Sequence, residues 1–278
     1  MADRVAKTLA KFRGTLVLVG AGKMGSAMLD GWLARGLKPR QIVVIEPQPA
    51  KMLRSLARRG LRLNPTIKAT LAAAVVIAVK PQSAPEALQS LSRYIDKSTL
   101  VLSIMAGRTI GFLENSLPPR TAIVRAMPNT PAAIGRGISV AVGNANMLGQ
   151  HRNQASSLLA AMGEVEWVRD ERLMDAVTAL SGSGPAYVFL LAEAMASGGI
   201  ASGLPPALAT RLARETITGA GELMHRSDVD AATLRQNVTS PGGTTAAALD
   251  VLMGPEGLER LLTRAIEAAT RRSRDLAG

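Results

Sequence analysis

The 278-residue chain contains no cysteine. Disulfides, thiolate metal sites and cysteine nucleophiles are therefore excluded. Histidine is nearly absent as well, with only His151 and His225. A zinc site would need an unusual carboxylate-rich donor set, and a serine–histidine triad has few candidates, so no metal centre is expected. Aromatic residues amount to 3%, too few to give nucleic-acid bases much to stack on. The formal net charge of +12 would permit a nucleic-acid partner, yet the basic residues are scattered apart from short clusters such as Arg58-Arg59 and Arg271-Arg272. A solvated, arginine-rich surface is expected, with no nucleic-acid ligand. Long apolar runs are missing too: the longest, around residues 71–79, is too short to cross a bilayer, and no membrane partner is expected.

Hydrophobic residues make up 47% of the chain, ample for an aliphatic core, and the length fits about two domains. Residues 1–13 carry Arg4, Lys7, Lys11 and Arg13, with Val5, Leu9 and Phe12 at helical spacing. No long apolar segment follows, so this reads as a flexible basic N-terminus rather than a secretory signal. Asp3 and the scarcity of serine weigh against an organellar presequence, and a cytoplasmic protein is expected.

Residues 15–19, Thr-Leu-Val-Leu-Val, form a continuous apolar run, as expected of a strand buried on both faces of a parallel sheet. The run ends at Gly20-Ala21-Gly22-Lys23-Met24-Gly25 and passes into a helical pattern to about Arg35. This is G-x-G-x-x-G in its required setting. The first glycine makes the tight turn, the second lets a pyrophosphate approach, and the third lets helix and strand pack. A second strand, 41–45, ends at Glu46, a little over twenty residues past the last glycine. An acidic side chain there accepts from adenosine ribose hydroxyls and favours NAD over NADP. Lys51 and Arg54 lie just beyond and could serve a 2′-phosphate instead, which leaves the preference open. A helix over 49–59 and a short strand at 61–63 follow. Asn64 ends that strand, where it either touches the adenosine side or only makes a turn.

Strands at 75–79, 99–103 and 121–125 then close on the loops Lys80-Pro81-Gln82, Met105-Ala106-Gly107 and Met127-Pro128-Asn129-Thr130-Pro131. Ligands of open α/β sheets lie along the carboxyl ends of the strands. The nicotinamide is therefore expected near Val79, Lys80, Pro81, Ala106 and Asn129. Strands at 137–142 and 165–168, with a helix over 150–162 between them, complete a Rossmann-type doubly wound domain over residues 14–170.

From Arg172 the strand-like runs stop, and residues 171–278 read as an all-α domain. Helices are expected over 173–180, from Pro185 to about 202, and over 207–224, 245–252 and 255–275, with a short segment at 230–236. Ser181-Gly182-Ser183-Gly184-Pro185 reads as a break between helices. It either merely joins them or forms a wall that meets substrate through Ser181 and Ser183. Several turns have few polar positions, residues 189–196 among them. A segment of this size could hardly bury such helices alone, so a second subunit is the natural cover.

The stretch Val238-Thr239-Ser240-Pro241-Gly242-Gly243-Thr244-Thr245 leads into Ala246-Ala247-Ala248-Leu249. Pro-Gly fits the centre of a type II turn, and Gly243 would let another molecule approach the backbone. Thr244 and Thr245 stand at a helix start with open N–H groups beside them, where a small carboxylate could be held. The plainer alternative is a turn followed by a threonine cap. Lysine, finally, stops at Lys97. Dehydrogenases of 3-hydroxy acids share this two-domain plan but use a lysine of the second domain, so that chemistry is excluded. An iminium, already activated toward hydride, fits better.

Gly20–Gly25, Val79–Gln82, Met127–Pro131, Ala179–Tyr187 and Val238–Thr245 together resemble the pyrroline-5-carboxylate reductase family, in the family's order and over residues 14–270. The resemblance implies reduction of 1-pyrroline-5-carboxylate to L-proline with NADPH or NADH. It also implies a helical domain that interlocks with a second subunit, and dimers that assemble into rings. Carried onto this chain, Thr245 supplies the hydroxyl that reaches the imine nitrogen. Gly243 and Thr244 fall in the loop that receives the carboxylate, and Asn237 and Val238 fall where the cofactor is touched. Glu46 departs from the small or polar residues many members carry at the ribose position. A nucleotide-sensing or nucleic-acid-binding protein, and a reductase of a related imine or keto acid, are the alternatives.

Overall fold

The computed structural model describes residues 9–65, 71–89 and 91–277. Residues 1–8, part of the N-terminal segment expected to be flexible, lie outside the described residues. From Leu9 onward that segment is anchored, which corrects the expectation for its second half. Leu9 is buried, its N–H donates to the Arg35 carbonyl, and the Phe12 carbonyl accepts from the Gln41 side chain.

The elements in order are β1 (Leu16–Val19), α1 (Lys23–Ala34), β2 (Ile42–Ile45), α2 (Lys51–Arg58), β3 (Arg62–Leu63) and β4 (Ala74–Ile77). There follow α3 (Ala84–Gln89), β5 (Leu100–Ser103), α4 (Ile110–Ser116), β6 (Ala122–Pro128), β7 (Gly137–Gly143), α5 (Gly149–Leu159) and β8 (Gly163–Trp167). The helices α6 (Met174–Val177), α7 (Gly184–Ala201), α8 (Pro206–Arg226), α9 (Ala231–Asn237), α10 (Thr244–Leu252) and α11 (Leu258–Ala277) complete the chain.

One sheet takes all eight strands in the order β3-β2-β1-β4-β5-β6-β7-β8. Its first six positions are those of the dinucleotide-binding doubly wound fold. β1, β4 and β5 are buried from end to end, and alternate residues serve two separate cores. Leu16, Leu18, Ala74 and Val76 belong to one, and Val17, Val19, Val75 and Ile77 to the other. This two-sided burial is why the strands read as unbroken apolar runs rather than as alternation.

β6 runs three residues past the expected end and pairs antiparallel with β7, from Val124↔Gly143 to Pro128↔Ser139. The link between them is a short turn built on the 3-10 segment Thr130–Ile134. A parallel crossover needs a dozen residues or more, so this link can only make a hairpin.

Contacts divide the chain into two compact units. One runs through Gly182 and resumes at Thr270; the other is Ser183–Ala269. The strands end at Trp167, and the first helical turns after them stay with the sheet unit. The expected break at 181–185 is replaced by a π-helical turn, Thr178–Gly182, which carries the helical path on toward α7. Pro185 sits in the first turn of α7, where its missing N–H costs no bond. Single π turns inside helices often mark functional positions.

Within Ser183–Ala269 the described residues contain only two buried side chains, Ala209 and Ala213. Among the described residues, one helical stretch, Glu171–Ala201, is long and apolar enough to cross a membrane by length and composition alone.

Candidate functional site

In the sheet unit the three glycines play distinct parts. Gly20 has φ +88° and its N–H donates to the Ile45 carbonyl at 2.9 Å. A Cβ there would stand 2.8 Å from the Ala78 carbonyl oxygen, so the turn is pressed against the end of β4. A Cβ on Gly25 would collide with the Gly20 carbonyl oxygen, so the third glycine lets α1 close on the turn. Gly22 is different. It caps α1 with no side-chain bond, and a Cβ built on it meets nothing within 4 Å. The protein itself does not require a glycine there, whereas a pyrophosphate lying on the N-terminus of α1 would. Lys23 is exposed and Met24 half-buried on the first turn of the same helix.

Glu46 follows β2 and reaches back to the glycine turn. Its Oε2 accepts from the Ala21 N–H at 2.8 Å and its Oε1 from the Gln48 N–H at 3.0 Å. Asn64 lies beside it and bonds to its backbone. Val79, Lys80 and Pro81 follow β4, and Lys80 is exposed. Ala106 is exposed on the loop after β5, between buried Met105 and Gly107. Asn129, just past β6, accepts from the Ile138 N–H at 3.0 Å and donates to the Ser181 hydroxyl at 3.3 Å. The π turn is thereby tied to the carboxyl edge of the sheet, and Gly182 sits where a Cβ would strike the end of Met127.

The loops after β1, β2, β4, β5 and β6 thus lie along one edge, as the parallel pairing requires. Two arginines in this framework escaped the sequence reading. Arg108 donates through Nε and Nη2 to the Pro81 carbonyl at 3.3 and 3.0 Å and lies over the Phe112 ring. It joins the loop after β5 to the loop after β4. Arg125, on buried β6, pairs with Glu171 at 2.7 Å, and the same carboxylate oxygen accepts from the Ile110 N–H at 2.8 Å. A charge inside an apolar strand was the available signal for Arg125, since such a residue needs a partner. Nothing in the local sequence distinguishes Arg108.

In the helical unit, α9 is capped by Asp230, whose carboxylate accepts from the Thr233 N–H at 3.0 Å. That bond holds the Asp230 carboxyl below its ordinary range. α9 ends at Asn237, and Val238 is exposed. The turn that follows is closed by the Gly243 N–H on the Ser240 carbonyl at 3.0 Å, with Gly242 at φ +69°. That is the arrangement of a type II turn.

Gly243, not a threonine, caps α10. A Cβ on Gly243 would lie 3.1 Å from the Ser240 carbonyl oxygen. The turn itself is therefore tight at this glycine, a reason beside the close approach expected from sequence. Thr244 and Thr245 occupy the first two helical positions. The first intrahelical bond runs from the Ala247 N–H to the Gly243 carbonyl, so the N–H groups of Thr244, Thr245 and Ala246 precede the helical ladder. The Thr245 hydroxyl is half-exposed and has no hydrogen-bond partner among the described residues. Ser183 precedes α7 without a side-chain cap bond.

Residues 15–107 match a family model described as NADP oxidoreductase, coenzyme F420-dependent. With the sheet order and the glycine turn, this defines a dinucleotide-binding oxidoreductase. Residues 171–276 match the model for pyrroline-5-carboxylate reductase dimerisation. Pyrroline-5-carboxylate reductase of Pseudomonas aeruginosa is 39% identical over 265 residues, covering 94% of this chain and 96% of its own length. The enzyme of Synechocystis is 38% identical over 264 residues, with 94% and 97% covered. The solved pyrroline-5-carboxylate reductase of Coxiella burnetii superposes with a TM-score of 0.87 at 33% identity, covering 95% of this chain and 99% of that one. That of Plasmodium falciparum, solved with NADP bound, gives 0.78 at 30%, with 96% and 99% covered. The chain belongs to the pyrroline-5-carboxylate reductase family.

Proposed function

We propose that this protein reduces the C=N bond of 1-pyrroline-5-carboxylate to give L-proline, taking hydride from NADPH or NADH. The observation that carries the reading is the turn at Pro241–Thr245 in a chain whose relatives match it from end to end. Three N–H groups and one unpartnered hydroxyl stand together there, at the positive end of a helix dipole.

The reduced nicotinamide supplies the hydride when bound. Gly20, Gly22 and Gly25 make room for the pyrophosphate, with Lys23 and Met24 beside it on α1. Glu46 and Asn64 belong to the adenosine end. Val79, Lys80, Pro81, Ala106 and Asn129 belong to the nicotinamide end, with Arg108 steadying the Pro81 loop. In the helical unit, Thr244 and Thr245 receive the substrate carboxylate through their open N–H groups, on the turn that the Gly243 N–H closes. The Thr245 hydroxyl oxygen accepts from the protonated imine nitrogen and holds the C=N bond in one orientation. That group needs no further acid, because the iminium is already an acceptor of hydride and the product amine keeps its proton. Ser181 and Ser183 form the wall on which substrate rests, and Asn237 and Val238 complete the cofactor contacts.

The helical unit is the family's dimerisation region. We extend this to a homodimer that assembles further into a ring, working in the cytoplasm. Beyond Gly182, the apolar stretch Glu171–Ala201 is covered by a second subunit and not by lipid. It carries Glu171, Arg172, Asp175 and Glu193, which hydrocarbon would penalise. The test is direct: purified protein, the five-membered imine acid, and loss of reduced-nicotinamide absorbance with proline as product. Turnover of an open-chain keto acid in place of the cyclic imine would overturn the reading.

A further inference from the structure

The adenosine end of the sheet unit is braced in a way that bears on which dinucleotide it accepts. Glu46 is no loose side chain at the end of β2. Both of its carboxylate oxygens are engaged, one by the glycine turn at Ala21 and one by the loop at Gln48. These backbone donors flank the end of β2. A carboxylate already occupies them, so they are closed to a second anion, and its charge repels one.

Asn64 stands behind Glu46. Its own N–H donates to the Val44 carbonyl at 2.8 Å. Its Oδ1 accepts from the Glu46 N–H, and its Nδ2 donates to the Glu46 carbonyl, each at 2.8 Å. The side-chain amide thereby does for Glu46 what a neighbouring strand would do, extending the β2–β3 pairing one residue beyond Val44↔Leu63. The geometry needs φ +44° at Asn64, a region asparagine enters more readily than most residues. Both polar groups of the amide are spent on Glu46.

We propose that Asn64 is a positioning residue that locks Glu46 across the adenosine ribose site, and that this pair selects the unphosphorylated ribose, NADH over NADPH. The inference rests on the dinucleotide-binding part of the function above and not on imine reduction. Lys51 and Arg54 are the opposing candidates. Both are exposed on the first turn of α2. Drawing either onto a 2′-phosphate means ordering a long solvated side chain against screening, whereas Glu46 is already fixed.

The test compares 5′-AMP with 2′,5′-ADP, which differ by the 2′-phosphate alone, in calorimetric titrations of the full-length protein. The kcat/KM ratio for NADH over NADPH is measured alongside. The wild type should favour 5′-AMP by about tenfold, the effect of one like charge at a half-exposed site. Glu46→Gln should abolish that preference. Asn64→Gly tolerates the positive φ and removes both amide bonds, and should cut the preference roughly threefold, with the kcat/KM ratio moving in parallel. Asn64→Ser adds no charge and is too short to make both amide bonds, so its preference should lie between wild type and glycine. It also covers the case in which the glycine variant folds poorly. Tighter wild-type binding of 2′,5′-ADP would overturn the proposal. So would an Asn64 variant whose melting temperature falls while its nucleotide preference stays at the wild-type value. Nucleotide preferences as stated, with no imine reduced, would remove the proposed activity and leave this inference standing.

Discussion

The sheet unit and the helical unit draw on the same aliphatic residues to opposite effect. In the first, the strands are sealed on both faces, and Trp32 is fully buried with its indole N–H on the Leu158 carbonyl. In the second, α7 has no buried residue, and Phe189 and Leu190 are each 63% exposed. Burial of the first unit closes within the chain; burial of the second does not. Apolar surface on this scale marks an interface. The first unit can therefore be probed as a self-contained fold, whereas stability and activity of the second must depend on protein concentration.

The sharpest way to break that contrast is a charge on the open face. Phe189→Asp should dissociate the assembly, because an unpaired carboxylate buried at a subunit contact costs several kcal/mol. Activity should fall by more than about a hundredfold with the loss of the dimer. Light scattering at micromolar concentration checks this, with the wild type no smaller than a dimer. A stable wild-type monomer would show that the helical unit needs no cover.

The counterpart in the sheet unit is Arg125→Met. Arg125 is 6% exposed in its side chain and Glu171 29%, so the change strands a carboxylate that keeps some water. A loss of about 3 kcal/mol is expected, at the lower end for a broken buried pair. Thermal unfolding should register it, while the subunit number by light scattering stays unchanged. Dissociation into monomers would mean that the two units are not separable in this way.

What was legible in sequence divides along the same line. The central strands β1, β2, β4 and β5 announced themselves because burial on both faces leaves unbroken apolar runs, and the glycine turn because its φ values and close approaches admit little else. The direction of β7 was not visible, since a hairpin and a crossover differ by loop length and not by strand composition. Ser181 and Gly182 misled because serine and glycine read as a break, where the π turn Thr178–Gly182 instead continues the helix expected to end at 180. The π turn is held by the Asn129–Ser181 bond, with the end of Met127 lying where a Cβ at 182 would stand, contacts far apart in sequence. The turn at Pro241–Gly243 was readable from its residues alone. The capping residue was not, because threonine and glycine both cap helices and only the backbone, extended at Gly243 and helical from Thr244, decides between them.

Two glycines of one motif give a finer test of the sheet unit. Gly25→Val drives a side chain into the Gly20 carbonyl and should lower the melting temperature. Gly22→Val starts from a Cβ with no protein atom within 4 Å and should leave that temperature near wild type. It should nevertheless weaken dinucleotide binding by roughly a hundredfold, because the valine occupies the space of the pyrophosphate and displaces it. Equal thermal losses in both variants, with unchanged nucleotide affinity, would reduce the motif to a structural turn.

The smallest effect, and the one that decides what the helical unit contributes chemically, is at Thr245. The position is the second of α10, and its hydroxyl has no partner among the described residues, so the hydroxyl adds nothing to helix capping that Gly243 and the Ser240 turn do not already supply. Thr245→Val keeps the β-branched shape and removes only the oxygen. One hydrogen bond to a charged group is worth about 1.5–3 kcal/mol, so kcat/KM for the imine should fall roughly ten- to a hundredfold. The melting temperature should stay near wild type, because no intramolecular bond is lost. Dinucleotide affinity should also hold, since the glycine turn and Glu46 lie in the other unit. A threonine that served the fold would give the opposite pattern, a lower melting temperature with unchanged kinetics. Measuring both on one preparation separates the two. A wild-type kcat/KM in the valine variant would leave the backbone N–H groups of α10, and not this hydroxyl, as what the turn contributes to holding substrate.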